Sequence, residues 1–185
     1  MSLKHAILGF LNMRLFSGYD LWKMFNSSVN NYWSATHTQI YKTLSDLAED
    51  KMVETELIQQ EVNPNKKVYH LTELGKEELI KWLKTPIEAP PVRDKYLVQF
   101  SFSDILEDED IIHNIESYIK EIEEKLNNLK YGEYKEYLKY ARSERENFLW
   151  NKTLEHGISS YENELKWLKE CLRSYNKLFV TTERD

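Results

Sequence analysis

At 185 residues, with 41% hydrophobic and 13% aromatic side chains, the chain is long enough for one fair-sized domain or two small ones and apolar enough to pack a core. Five Gly and four Pro argue against a disordered or all-β chain, and a single Cys171 excludes an internal disulfide or a multi-Cys metal site; no run of about 18 apolar residues is present to span a membrane. The formal charge of −6 is unevenly shared: residues 1–92 hold 10 Lys and Arg against 11 Asp and Glu, and residues 93–185 hold 15 against 20, so a nucleic-acid partner would have to be met by local charge in the first half.

Met1–His5 has no small-residue cleavage site and is not read as a signal peptide, which makes the expected compartment cytoplasmic. Leu3, Ile7 and Phe10, flanked by Ala6 and Leu11, predict a first amphipathic helix ending near Met13. Ser17 is placed to cap a second helix, with Asp20 at its positive end and Leu21, Met24, Phe25 and Val29 as its apolar stripe. Asn30–Ser34 breaks the pattern. A third helix is expected from about Ala35 to Asp50, capped by Ser34 or Thr36. It has two faces: Ile40, Leu44 and Leu47 suit a core, whereas Thr38, Lys42 and Ser45 are all polar. Val53–Val62 reads as a strand, Asn63-Pro64-Asn65 as a turn and Val68–Leu71 as the return strand; Thr72 caps a fourth helix from Glu73 to about Leu83. A helix followed by a hairpin with a basic tip is the arrangement of a winged helix-turn-helix, in which the helix enters the major groove and the hairpin reaches the backbone beside it.

Thr85–Pro91 then holds three of the four prolines and divides the chain into a winged-helix domain at 1–84, a linker at 85–92 and a helical domain at 93–185. Tyr96, Leu97, Phe100 and Phe102 open the second half, and Leu106–Asp110 is an acidic helix start. Ile112, Ile115, Ile119, Ile122, Leu126 and Leu129 recur at spacings of three and four up to a break at Gly132. Leu154, Ile158, Tyr161, Leu165, Leu168, Leu172, Tyr175 and Phe179 repeat the pattern. Both are heptad seams that need each other and a second copy of the chain, so this half reads as a dimerisation module. The expected fold class is mainly α, a winged helix-turn-helix with a small hairpin plus a long-helix domain resembling a coiled coil.

Ser17-Gly18-Tyr19-Asp20-Leu21, then Trp33, then Gln39-Ile40-Tyr41-x-Thr43-Leu44-x-x-Leu47, then Val68-Tyr69-x-Leu71-Thr72-x-x-Gly75 resemble, in order and spacing, the PadR family of bacterial transcriptional regulators. The second half resembles the helical C-terminal domain of its longer members by pattern. The resemblance implies a winged-helix dimer, usually a repressor, that releases DNA when a small molecule binds, with the third helix and the wing approaching the duplex. Family wings often carry Arg at the tip. Here Lys66 and Lys67 can position phosphates as point charges but lack the planar fork with which Arg reads guanine or enters the minor groove.

The candidate DNA contacts are accordingly His37, Thr38, Gln39, Tyr41, Lys42, Ser45, Lys66 and Lys67. Gln39 has the amide that pairs with adenine, Tyr41 has a hydroxyl for a phosphate, and the two wing lysines alternate to opposite faces. Phe100, Phe148, Trp150 and His156 are candidates to line a pocket between the halves for a planar aromatic or hydrophobic effector. There is no nucleophile elbow, phosphate loop, nucleotide fingerprint or metal-binding His pair, so no catalytic residue, metal or cofactor is expected and the chain is not read as an enzyme. The expected partners are a pseudo-palindromic DNA duplex and a second copy of the chain, with no membrane. The competing reading is a winged-helix protein-interaction or scaffold module without specific DNA binding, motivated by the near-neutral first half.

Overall fold

A computed structural model describes residues 2–59, 66–89, 91, 93–132 and 134–180. The chain divides into two compact units, Met1–Glu88 and Ala89–Asp185.

The first unit begins with α1 (Ser2–Met13), followed by β1 (Phe16–Ser17), α2 (Gly18–Asn26), one 3-10 turn (Val29–Asn31), α3 (His37–Glu49), β2 (Val53–Ile58), β3 (Lys66–Leu71) and α4 (Glu73–Lys84). The three strands form an antiparallel sheet in the order β1-β3-β2, with Phe16 opposite Tyr69 and Val53 opposite Leu71. Ile7, Leu8, Phe16, Leu21, Phe25, Ile40, Leu44, Leu47, Val53 and Val68 are buried at 2% exposure or less, so one core binds α1, α2, α3 and the sheet. Each helix starts where its side chains allow it. Ser17 Oγ accepts the Asp20 N–H at 3.2 Å, and Thr72 Oγ1 accepts that of Gly75 at 3.1 Å while donating toward Met52 O. α2 stops at Asn26, short of Val29, because Ser27 and Ser28 turn their hydroxyls back onto Met24 O at 3.2 and 2.6 Å. The expected strand to Val62 is described only as far as Ile58, and the turn Asn63-Pro64-Asn65 lies outside the described residues.

The second unit holds α5 (Lys95–Ser101), a 3-10 turn (Ser103–Ile105), α6 (Asp108–Tyr131), α7 (Tyr134–Leu138), α8 (Glu144–Tyr175) and a closing π turn (Asn176–Val180). α6 and α8 run antiparallel: Lys130 pairs with Glu162 at 2.7 Å and Lys169 with Glu123 at 2.6 Å, and the Tyr175 hydroxyl at one end donates to Asp108 at the other. Ile111, Ile115, Ile122, Leu126, Leu165 and Leu168 form their shared core, so the first seam turns on Ile111 rather than the expected Ile112. Phe179, placed in the second seam by its spacing, is 54% exposed in the π turn. The acidic start of α6 acquires a structural reason: three carboxylates occupy its first turn, where the helix dipole favours them, and Asp108 also holds Tyr175.

Candidate nucleic-acid interface

α3 is built to present a polar face rigidly. Thr36 Oγ1 accepts the Gln39 N–H at 3.2 Å, and Gln39 Oε1 accepts the Thr36 N–H at 2.8 Å, a reciprocal capping box that fixes the first turn. Ile40, Leu44 and Leu47 are buried at 1% exposure or less and lock the opposite side into the core. All six α3 candidates, His37, Thr38, Gln39, Tyr41, Lys42 and Ser45, are therefore exposed. The capping box also engages the Gln39 amide oxygen, which accepts from Thr36 Oγ1 as well at 3.2 Å.

Tyr41 lies against Gly18: a Cβ there would sit 2.7 Å from the Tyr41 ring, so the Gly of Ser17-Gly18-Tyr19 makes room for it. Burial, with Tyr69 and Asp20 nearby, raises the Tyr41 pKa, so its hydroxyl stays a donor at neutral pH. An aromatic ladder continues from Tyr41 to His37 at 4.4 Å between ring centroids, to Trp22 at 5.6 Å and to Tyr19 at a further 5.9 Å. Tyr19, which the sequence marks only as part of a motif, and Trp22, which no motif marks, thus border the same face. Neither lies on α3, and the helical spacing within α3 carries no signal for them.

The two wing lysines have different partners. Lys66 Nζ lies 2.7 Å from Asp20 Oδ2, which also accepts from Ser17 Oγ at 2.8 Å. Burial works to raise the Asp20 pKa, but the Lys66 and Ser17 hydrogen bonds outweigh it and lower the value from 3.8. Lys66 thus ties the loop end of β3 to the start of α2. Lys67 is exposed, lies over the Tyr69 ring at 5.4 Å and has no ion pair among the described residues. Lys42 likewise has none.

The family model described as the transcriptional regulator PadR-like family matches residues 7–81, and one described as virulence activator alpha C-term matches residues 92–176. The chain carries a PadR-like family domain followed by a virulence activator alpha C-terminal domain. It is 28% identical over 179 residues to the negative transcriptional regulator PadR of Bacillus subtilis, covering 95% of this chain and 98% of that one. A Mycobacterium tuberculosis protein described as a probable transcriptional regulator is 38% identical over 106 residues, which span 57% of this chain and little more than half, 56%, of that protein. The crystal structure of B. subtilis PadR with operator DNA superposes with a TM-score of 0.80 at 28% identity, covering 95% of this chain and 99% of that one. The same regulator with p-coumaric acid gives a TM-score of 0.74 at 28% identity over 94% and 95%.

In this PadR-like chain the four effector candidates all lie in the second unit, and none of the ring contacts among the described residues joins two of them. Phe100 of α5 packs edge-on against Trp167 at 5.7 Å and stacks on Tyr96 at 5.9 Å. Trp150 stacks on Tyr137 at 4.3 Å, Phe148 is 59% exposed beneath Lys152, and His156 is exposed. Trp150 and Trp167 lie on one continuous helix, about 25 Å apart by its rise, so Phe100 and Trp150 cannot share one small pocket through α8. The sequence grouped them by proximity along the chain, and the length of α8 separates them.

Proposed function

We propose that this chain is a homodimeric, ligand-responsive repressor that grips a pseudo-palindromic operator through α3 and the hairpin. The observation that carries the reading is the exposed polar face of α3, with Thr38, Lys42 and Ser45 held outward by a fully buried Ile40–Leu44–Leu47 stripe beside a hairpin whose loop end Lys66 ties to α2. Two such helices related by a two-fold axis span successive major grooves about one helical turn apart. Lys42 and Lys67 contact phosphates, Tyr41 donates to one, and Thr38, Ser45 and His37 face base edges. Gln39 first holds the α3 cap and contacts DNA through its free amide nitrogen. Dimerisation uses the apolar surface that α6 and α8 leave over after packing on each other. The aromatic effector proposed for Phe100, Phe148, Trp150 and His156 is best served at Phe100, where Tyr96, Tyr118 and Trp167 gather. It releases DNA only by binding one state of the dimer better than the other. The complexes of B. subtilis PadR with operator DNA and with p-coumaric acid support both parts of the reading. The protein works in the cytoplasm and carries out no catalytic step; among the described residues no helix is long and apolar enough to cross a membrane.

A gel-shift titration on a pseudo-palindromic fragment selected from the source genome tests this, and the absence of any preference over random duplex at moderate salt would defeat it. The near-neutral first half favours the scaffold reading as an alternative, for which duplex binding is weak and nearly flat with salt. The wing lysines sharpen the test. Lys67→Ala is expected to lower the salt slope of operator binding by about 1, while Lys66→Ala, whose charge Asp20 already compensates, lowers it by less. An unchanged slope and affinity in the double variant would remove the hairpin from the interface.

A further inference from the structure

The first unit also holds a cleft of about 430 Å3 on α3 that the DNA reading does not use. Leu3 and Lys4 of α1, Trp33 of the turn before α3, and Asp46, Leu47 and Asp50 line it. A cleft of this size accepts a small organic molecule. Leu47 is 1% exposed and lies at the base of the cleft, and Trp33 is 43% exposed at the wall, where its backbone N–H donates to Val29 O at 2.8 Å.

The charge of the cleft is unbalanced. Asp46 and Asp50 stand one helical turn apart, both exposed, and neither has an ion pair among the described residues. Lys4, the cation at the rim, is committed to Glu78 at 3.1 Å. The last turn of α3 carries no basic residue, so the two carboxylates lie at the negative end of the helix dipole, where a carboxylate is disfavoured, and repel each other as well. A bound cation relieves this repulsion.

These features select a ligand class. An anion is repelled. A divalent metal ion finds too few ligands: among the described residues no group of three or more His, Cys, Asp or Glu side chains could hold one. A compact ammonium ion leaves the Leu3 and Trp33 surfaces uncovered. A flat organic cation lays its ring on the indole, covers Leu3 and brings its charge to the carboxylates, combining cation–π attraction with ion pairing. We propose that the cleft between α1, Trp33 and the C-terminal half of α3 is a binding site for a small, flat organic cation.

The site differs in charge from the aromatic cluster around Phe100, and its test is made without DNA, so its failure leaves the regulator reading untouched. Full-length protein is titrated by calorimetry with N-methylacridinium and, separately, with the anion acridine-9-carboxylate. The cation is expected to bind at one site per chain at least tenfold more tightly than the anion. The Asp46→Asn, Asp50→Asn double variant is expected to weaken the cation at least tenfold while its melting temperature holds or rises. Glu116→Gln, Glu124→Gln on the exposed side of α6 removes the same charge and is expected to leave binding unchanged. Equal affinity for both probes, binding indifferent to the Asp46 and Asp50 substitutions, or an equal loss in the α6 control would each overturn the proposal.

Discussion

Gly75 stands where no side chain fits. A Cβ there would meet the Met52 carbonyl oxygen at 2.2 Å and Leu71 Cδ1 at 2.8 Å, so the first turn of α4 closes directly on the chain entering β2. The obstacle is backbone, which cannot swing aside. Gly75→Ala is therefore expected to destabilise the protein by about 3 kcal/mol, near the upper end for overpacking, as read from urea unfolding. Glu164 shows a different residue-scale cost. Its Oε1 is buried without a hydrogen-bond partner, and burial followed by the nearby Asp94 carboxylate raises its pKa above 4.5. The folded state then holds this proton more tightly than the unfolded chain does. The associated stability is complete below the unfolded pKa and is lost as pH rises through the folded one. Glu164→Gln is expected to raise the melting temperature at pH 8 and to change it little at pH 4, and a rise of the same size at both pH values would contradict this account.

At the scale of elements, α3 is fixed at both ends by local chemistry. Its far end is a Schellman motif: Met52 N–H donates to Leu47 O at 2.9 Å, Lys51 N–H to Ala48 O at 3.1 Å, and Lys51 takes a left-handed φ of 56°. A lysine there bears a steric cost that glycine does not. Lys51→Gly is expected to add about 0.5–1 kcal/mol of stability, measurable as a rise in melting temperature. The start of α3 was legible: Thr36-x-x-Gln39 is a capping-box pattern, and it moves the start from the expected Ala35 to His37. The heptad series likewise located α6 and α8, because periodic burial is what packs them. What the sequence could not expose was tertiary in origin. The ladder from Tyr19 to Tyr41 crosses between helices, and the bridge from Lys66 to Asp20 joins residues 46 positions apart. α7, at five residues, is too short to show a period of its own.

For the molecule as a whole, the two units divide both the packing and the charge. Residues 85–89 are exposed and lie outside regular structure between α4 and α5. Exposed irregular backbone is cut first by proteases, so brief treatment with a glutamate-specific protease is expected to cleave after Glu88 and leave two resistant fragments of similar size, resolved by mass spectrometry. Earlier cleavage within α6 or α8 would mean that the second unit is less well packed than its core of Ile115 and Leu168 requires. The surplus acidity is carried by the second unit, so the near-neutral first unit can approach a polyanion with little opposing charge of its own. The capping box at Gln39 bears finally on how a regulator and its target sites change together. An amide oxygen already serving the fold can read adenine with both its atoms only by surrendering a cap worth about 1 kcal/mol, against the roughly 1–3 kcal/mol that such a contact gains. If Gln39 lies over a base pair as proposed, promoters are left free to drift beneath it, and selection for a sharper consensus there has to act on Thr36 as well.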